Sequence, residues 1–199
     1  MTESEPGWLD PSLFPACSLL EHSFAVIRAE LLSILDQNVW MQWGNAHYTP
    51  TFTRMSSQQI RGMMAASQSK IGQAAEPSWQ LFGIYLRGQQ VAENATRCPK
   101  TAAVLSQIPQ LMNGGFSCLE AGYRTKPHIG HDRSFYRIHL PLLIPAGNVG
   151  MTVSGVTRRW EEGKAVIFDD TCIHTAWNES SEHRYVLIAD IANGRPRAP

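Results

Sequence analysis

Two histidines in this chain have the type and setting of metal ligands. His128 lies in the loop sequence Pro127-His128-Ile129-Gly130, and His174 follows the turn Phe168-Asp169-Asp170-Thr171. A neutral imidazole is a common metal ligand in proteins, so two of them brought together by folding could hold one ion. Many non-haem iron sites add a carboxylate two residues after the first histidine, but that residue is Gly130 here. An iron held by these residues would therefore have two protein ligands and more positions open to small molecules.

Arg137 and His139 add a cation and an imidazole between the two histidines. They lie in the segment Phe135–Leu140, which alternates like a strand. Side chains of a strand alternate between its faces, so Arg137 and His139 should point the same way while the apolar residues between them form a core face. The alternative is a solvent-facing strand on which both polar side chains are simply exposed.

Arg184 begins an apolar run that extends to Asp190. An arginine that points inward from such a strand needs an anionic partner, because burying an unpaired charge is costly. The partner could be a carboxylate ligand, which guanidinium binds through two hydrogen bonds, or a nearby side chain such as Glu179 or Glu182. Asp169 and Asp170 could orient a metal-binding imidazole, or only shape the turn.

The other histidines and several charged residues receive a plainer interpretation. His22, His47, His131 and His183 have no such context and are expected to be structural or surface residues. Arg124, Lys126, Arg158 and Arg159 lie near the proposed site in sequence. They could bind a substrate anion or be solvated surface charges.

The elements that must position these residues change in type along the chain. Apolar residues spaced three and four apart predict a first helix from about Ser18 to Leu35, with Leu20, Phe24, Ile27, Leu31 and Leu35 on its buried face. A second short helix is expected near Ser56-Ser57, carrying Ile60, Met63 and Met64. After Pro77 the pattern becomes strands separated by glycine and proline, with one short helix opening at Pro99.

This order predicts a mainly β, α+β domain: N-terminal helices followed by a double-stranded β-helix, the jelly roll of the cupins. We expect a single domain over residues 1–199, with 1–75 mainly helical and 76–195 forming the jelly-roll core.

Composition excludes some classes of function. The 17 basic and 17 acidic residues of the 199 cancel and form no basic stripe, so no nucleic-acid partner is expected. No segment is long and apolar enough to cross a membrane, and the polar, acidic start at 1–7 is unlike a signal peptide. The 4 cysteines are scattered and form no C-x-x-C pair, which is typical of reduced thiols. We therefore expect a cytoplasmic protein with no membrane partner.

Several motifs, taken in order, resemble the aspartyl/asparaginyl β-hydroxylase family of Fe(II)/2-oxoglutarate oxygenases. They are Phe116-Ser117, Pro127-His128-Ile129-Gly130, Arg137-Ile138-His139-Leu140, Trp160-Glu161-Glu162-Gly163-Lys164, Phe168-Asp169-Asp170, His174-Thr175-Ala176-Trp177-Asn178 and Arg184. Weaker similarity continues upstream through Cys98-Pro99-Lys100-Thr101 and the helix after Phe14-Pro15. The resemblance thus covers most of the chain.

The resemblance implies a role for each site residue. His128 and His174 match the two catalytic iron ligands, and Gly130 matches the family's missing carboxylate. Arg184 and Ser117 match the pair that holds the distal carboxylate of 2-oxoglutarate. Arg137 and His139 match the contacts to its metal-proximal end. The implied cofactors are Fe(II), the cosubstrate 2-oxoglutarate and O2.

The implied reaction hydroxylates an unactivated C–H bond and releases succinate and CO2. Two alternatives stay open: a 2-oxoglutarate-dependent halogenase, since Gly130 leaves room for chloride on the metal, and a non-catalytic cupin-like binding or sensing protein. Family members known for the name reaction carry helical repeats and a membrane anchor, and we expect neither in this protein. We therefore expect the substrate to be an amino-acid-derived small molecule or a peptide. Aromatic residues such as Tyr123 and Trp177 could wall its pocket, and the alternative for Trp177 is core packing.

Overall fold

The computed structural model describes residues 5–43, 56, 58–59, 68–72, 76, 78–130 and 134–194. Within these ranges the α-helices are α1 (Pro15–His22), α2 (Phe24–Ile34), α3 (Ala92–Arg97) and α4 (Pro99–Ser106). The expected helix from Ser18 to Leu35 was wrong in its start and its continuity. It begins at Pro15, which suits a first helical turn, and Ser23 separates it into two helices. Its predicted buried face is confirmed at Leu20, Ile27 and Leu31.

Most of the second predicted helix, including Ile60, Met63 and Met64, lies outside the described residues. The short helix expected at Pro99 is present as α4. None of the helices in the described ranges is long and apolar enough to span a bilayer.

The strands follow one another through the rest of the described chain. They are β1 (Trp8–Leu9), β2 (Trp40–Trp43), β3 (Gln68–Ser69), β4 (Trp79–Leu86), β5 (Gln89–Gln90), β6 (Leu111–Leu119), β7 (Phe135–Leu143), β8 (Asn148–Val153), β9 (Val156–Arg158), β10 (Val166–Asp169), β11 (His174–Glu179) and β12 (Arg184–Ala192).

These strands form two antiparallel sheets. The larger has the order β1-β10-β7-β12-β6-β4-β2-β3, with β5 beside β4, and the smaller has the order β11-β8-β9. Isolated bridges from Arg124 to Trp177 and from His128 to His174 add the segment 124–128 to the open edge of the smaller sheet. From β6 onward the chain therefore passes back and forth between the sheets. This is a double-stranded β-helix, and the predicted jelly roll is confirmed.

Two hydrophobic clusters hold these layers together. The first joins the helices to one face of the larger sheet and includes Leu20, Ile27, Phe82 and Leu187. The second lies between the two sheets and consists of Trp8, Leu119, Val149, Met151, Val153, Trp160, Phe168 and Ala176. Ile138 and Leu140 belong to the first cluster, so the opposite face of β7 is left to Arg137 and His139. The alternation predicted for this strand is therefore confirmed.

Candidate functional site

A pocket opens between the two sheets, beside the second cluster. All six residues predicted for the site line it: Ser117, His128, Arg137, His139, His174 and Arg184. Most of the remaining wall is apolar and comes from Trp79, Leu119, Met151, Phe168, Ala176 and Ile188, with Thr125 beside them. Its empty volume, including the open mouth, is about 330 Å³. The six predicted residues come from five separate segments of the sequence, which folding brings together.

The two predicted metal ligands are direct neighbours across a pair of backbone hydrogen bonds. The amide of His128 donates to the carbonyl of His174 over 3.0 Å, and the amide of His174 donates back over 2.8 Å. Residues paired in this way project their side chains to the same face. Accordingly, the two ring centroids are 4.2 Å apart.

The orientation of each imidazole is fixed by a backbone carbonyl. The Nδ1 of His128 lies 2.7 Å from the carbonyl oxygen of Lys126, and the Nδ1 of His174 lies 2.8 Å from that of Cys172. A carbonyl only accepts, so each Nδ1 must carry the proton and each Nε2 keeps its lone pair. This arrangement is the one that metal-binding histidines use.

The environment keeps both rings neutral at physiological pH. Burial, followed by the neighbouring His174, lowers the pKa of His128 to about 4. Burial also lowers the pKa of His174 to about 4, against the opposing effect of its hydrogen bond to Cys172. A neutral imidazole is the form that binds a metal, so neither ring must first lose a proton.

The space beside Gly130 is filled by Asp170. A Cβ built on Gly130 would lie 1.7 Å from Oδ2 of Asp170 and 3.0 Å from its backbone oxygen. Asp170 is only 1% exposed, and its Oδ1 lies 3.6 Å from Nε2 of His174 and 3.0 Å from Nη1 of Arg137. The described residues contain no group of three or more histidine, cysteine, aspartate or glutamate side chains arranged to hold a metal.

The charge of Arg137 is balanced where it lies. Its Nε and Nη2 donate to the two carboxylate oxygens of Asp190 over 2.7 and 3.0 Å, and its Nη1 faces Asp170. Asn113 donates to the same Asp190 carboxylate over 2.9 Å. Arg137 therefore reaches the pocket as part of a buried network that orders the wall behind the histidines.

Arg184 has a different environment. It is 1% exposed, and its Nε and Nη1 have no hydrogen-bond partner among the described residues. Its guanidinium carbon lies 4.8 Å from the centroid of the Trp160 ring. Burial lowers its pKa to about 9, so it is still a cation at neutral pH. The suggested salt bridge to Glu179 is not made, because that carboxylate pairs with Arg124 on the surface.

His139 lies near this cation in the neutral form. Burial, with the nearby charges of Arg184 and Arg137, holds the pKa of His139 well below its usual range. Its Nδ1 is buried and has no hydrogen-bond partner in the described part of the chain. The inner end of the pocket thus combines a buried cation with unused donors and a neutral imidazole, which is suited to an anion.

Trp79 is a site residue that the sequence interpretation missed. Its Nε1 donates to Oγ of Ser117 over 2.9 Å, so the hydroxyl hydrogen of Ser117 remains to be donated elsewhere. The Trp79 ring also lies 6.3 Å from that of His128. A tryptophan opening an apolar strand has no pattern that separates it from core packing, so only the fold identifies it.

The suggested pocket walls at Tyr123 and Trp177 were wrong, since neither lines the pocket. Trp177 donates through Nε1 to Asn148 and packs under the guanidinium of Arg124. Arg158 pairs with Glu5, and Arg159 donates to the carbonyl of Gly147. For these arginines the surface interpretation is therefore favoured over substrate binding.

Comparison with known proteins matches most of the chain to one family. The profile of the family described as Aspartyl/Asparaginyl beta-hydroxylase matches residues 21–194. The ornithine lipid ester-linked acyl 2-hydroxylase of Rhizobium tropici is 30% identical over 187 residues, which are 93% of this chain and 60% of that protein. The human aspartyl/asparaginyl beta-hydroxylase is 30% identical over 177 residues, which are 86% of this chain and 20% of that protein.

The chain therefore spans less than two thirds of the length of these two relatives. Among solved structures, the cupin domain of Schizosaccharomyces pombe Cnp3 is similar over 60% of this chain and 70% of that one, at 11% identity and a TM-score of 0.40.

Proposed function

The chain belongs to the aspartyl/asparaginyl β-hydroxylase family, and from that premise we propose that it is an Fe(II)/2-oxoglutarate-dependent dioxygenase that hydroxylates an unactivated C–H bond. The observation that carries the proposal is the buried Arg184, whose Nε and Nη1 have no hydrogen-bond partner among the described residues, in the same pocket as two neutral imidazoles, His128 and His174. A keto-acid cosubstrate needs a cation that binds its carboxylate, and a ferrous ion needs nitrogen ligands. This pocket offers both.

His128 and His174 would hold the iron, since each presents an unprotonated Nε2 while its Nδ1 is tied to the backbone. Ser117 and Arg184 would bind the distal carboxylate of 2-oxoglutarate, and Arg137 and His139 would lie at its metal-proximal end. When bound, the iron supplies the activation of O2, with oxidation of 2-oxoglutarate to succinate and CO2.

The chain's own contribution is to bind, orient and exclude water. Asp190 and Asp170 hold Arg137 in place, and Trp79 directs the Ser117 hydroxyl. The apolar walls at Leu119, Met151 and Phe168 keep water from the reacting centre, which protects reactive species and strengthens the electrostatic contacts inside.

We propose an amino-acid-derived small molecule or a peptide as the substrate. The Rhizobium tropici relative is named for an ornithine lipid, and ornithine is an amino acid. The human relative is named for aspartyl and asparaginyl residues. Both names support a substrate that contains an amino acid.

The test begins with purified protein under anaerobic conditions. Adding Fe(II) and 2-oxoglutarate should produce a metal-to-ligand charge-transfer band in the visible range, and admitting O2 should release succinate. His128→Ala and His174→Ala should abolish both signals, while the exposed His22→Ala should change neither. Arg184→Ala should weaken 2-oxoglutarate binding and leave metal binding intact. Normal turnover in either pocket-histidine variant would exclude the assigned ligands.

The halogenase alternative is tested by the mass of the product. Incubation with and without chloride should give the same single addition of oxygen. A product that gains chlorine instead would replace hydroxylation as the proposed reaction.

A further inference from the structure

A strap, defined as residues 5–9, runs beside the pocket and joins the two sheets. Its strand β1 pairs Trp8 with Phe168 and Leu9 with Ile167 on the larger sheet. The Nε1 of Trp8 donates to the carbonyl of Val156 on the smaller sheet over 3.1 Å. The strap lies outside the segment 21–194 that matches the family, so the family similarity assigns it no role.

The Trp8 side chain reaches the site through a single intervening ring. It is 4% exposed and meets Phe168 edge-on at 5.7 Å between centroids. The centroid of Phe168 is in turn 5.3 Å from that of His139 and 5.3 Å from that of His174. Because closely packed interiors transmit small displacements, a shift of Phe168 would alter both imidazoles.

The strap also reaches His174 through the backbone. The amide of Asp169 donates to the carbonyl of Gly7 over 2.9 Å, and the amide of Cys172 donates to the carbonyl of Asp169 over 3.0 Å. The carbonyl of Cys172 then holds Nδ1 of His174 at 2.8 Å. The group that fixes the tautomer of this histidine therefore belongs to a turn that the strap anchors.

The strap is itself held in one position. Arg158 places its guanidinium carbon 4.7 Å from the centroid of the Trp8 ring and pairs with Glu5, with its Nη2 2.7 Å from Oε2. Gly7 has a φ of +80°, and a Cβ there would lie 2.6 Å from Cγ1 of Val153. The backbone at this point is therefore accessible to glycine and strained for other residues.

We infer that Trp8 is a positioning residue for the metal site: acting through Phe168, it sets the ring orientation of His174 and thereby the affinity of the pocket for a divalent metal. The metal part of this inference rests on the proposed function, whereas the ring positions rest on packing alone.

The first test uses the metal-free protein and amide hydrogen exchange. Trp8→Leu keeps an apolar side chain and removes the ring contact, and Trp8→Phe restores a ring without the indole N–H. The matched control is Trp40→Leu, at a tryptophan with 0% exposure in the first cluster. Exchange at His174, whose amide is bonded to His128, is measured relative to Leu187 in the centre of β12. We expect this ratio to rise about tenfold in Trp8→Leu and to stay within about twofold of wild type in Trp8→Phe and Trp40→Leu.

The second test is titration with Co(II) alone, followed by its visible spectrum, at a temperature where all variants are folded. Loss of residues that orient metal ligands typically weakens binding by 10- to 100-fold. We expect Trp8→Leu to raise the dissociation constant about tenfold, with Trp8→Phe close to wild type and Trp40→Leu unchanged even if it melts earlier.

Two outcomes would overturn the inference. In the first, Trp8→Leu keeps the exchange ratio and the Co(II) affinity of the wild type. In the second, Trp40→Leu changes both quantities as much as Trp8→Leu does. If the wild-type protein bound no Co(II), the proposed function would fall, while the exchange ratio would still decide whether Trp8 holds the backbone of His174 in place.

Discussion

Gly130 can be singled out from the sequence, but the sequence does not show which neighbouring residue excludes a side chain at this position. Its place two residues after His128 already predicts a metal site without a carboxylate at that position. What the sequence cannot supply is the spatial neighbour, because Asp170 lies far along the chain and is brought to Gly130 only by the fold. The missing side chain therefore reflects a packing requirement as well as a metal-ligand pattern.

Gly130→Ala should force Asp170 away from Arg137 and destabilise the protein. The new methyl would overlap the carboxylate, and overpacking with disruption of a buried ion pair costs about 2–3 kcal/mol. Urea unfolding of the metal-free protein measures this. In an Asp170→Ala background the same change should cost less than half as much, because the principal clash is gone. Equal costs in both backgrounds would show that Asp170 is not the obstacle.

His139 should make the metal-free protein less stable in mild acid. Burial and the two nearby arginines hold its folded-state pKa well below the usual value. As pH falls below about 6.5, the unfolded chain binds a proton that the folded ring does not, so stability declines with a slope of up to about 1.4 kcal/mol per pH unit. In His139→Gln, the stability difference between pH 7 and 5.5 should shrink by about 1 kcal/mol. An unchanged difference in urea unfolding would show that the folded ring takes up its proton over the same pH range as in the unfolded chain.

At the scale of elements, local pattern was informative wherever one face is buried. Alternation in β7 correctly directed Arg137 and His139 into the pocket, because the opposite side chains fill the first cluster. Helical periodicity predicts the buried face of α1 and α2 but not the break at Ser23, because the buried positions Leu20 and Ile27 keep a helical spacing of seven residues across it. The role of Trp79 in the site could not be predicted from local pattern, because its hydrogen-bond partner Ser117 lies on a different strand.

Glu120 links β6 to the segment before β4 through buried hydrogen bonds that the local sequence pattern does not predict. It is 3% exposed at the end of β6. Its carboxylate accepts hydrogen bonds from the amide of Gly72, from the amide and hydroxyl of Ser78, and from the Gln80 side chain, over 2.6–2.9 Å. It thereby fixes the segment leading into β4, where Trp79 enters the pocket.

Glu120→Gln should destabilise the protein by about 2–3 kcal/mol. The new side-chain NH2 group would face the N–H and O–H donors that the carboxylate now accepts from, and the remaining hydrogen bonds would no longer be strengthened by the negative charge. Chemical denaturation checks this. The exposed Glu182→Gln is the control and should change stability by less than about 0.5 kcal/mol. Similar effects from both substitutions would mean that the hydrogen bonds of Glu120 contribute no more to stability than those of an exposed carboxylate.

At the scale of the molecule, the jelly roll is predictable because its short strands follow one another along the sequence, separated by glycine and proline turns. The strap and the closure of the two sheets around the second cluster were not predictable, since residues 5–9 carry no periodic pattern and their partners lie far along the chain on β9 and β10. Distant pairing of this kind depends on which edges the finished sheets leave open.

The finished molecule should trade stability for ligand binding at Arg184. Two nitrogens of the buried guanidinium, Nε and Nη1, have no hydrogen-bond partner in the part of the chain that the structure describes, which is a cost in the ligand-free protein. Arg184→Met, apolar and of similar length, should therefore raise the ligand-free stability by about 1–3 kcal/mol. The same variant should lose the stabilisation that 2-oxoglutarate gives the wild type with a divalent metal, about 2.7 kcal/mol at a hundredfold excess over the dissociation constant. Arg184→Met should therefore melt at a higher temperature than the wild type without ligands, and at a lower temperature than the wild type with Co(II) and 2-oxoglutarate. If Arg184→Met instead melts earlier without ligand, the charge is already compensated in the free protein and the pocket is not poised for an anion.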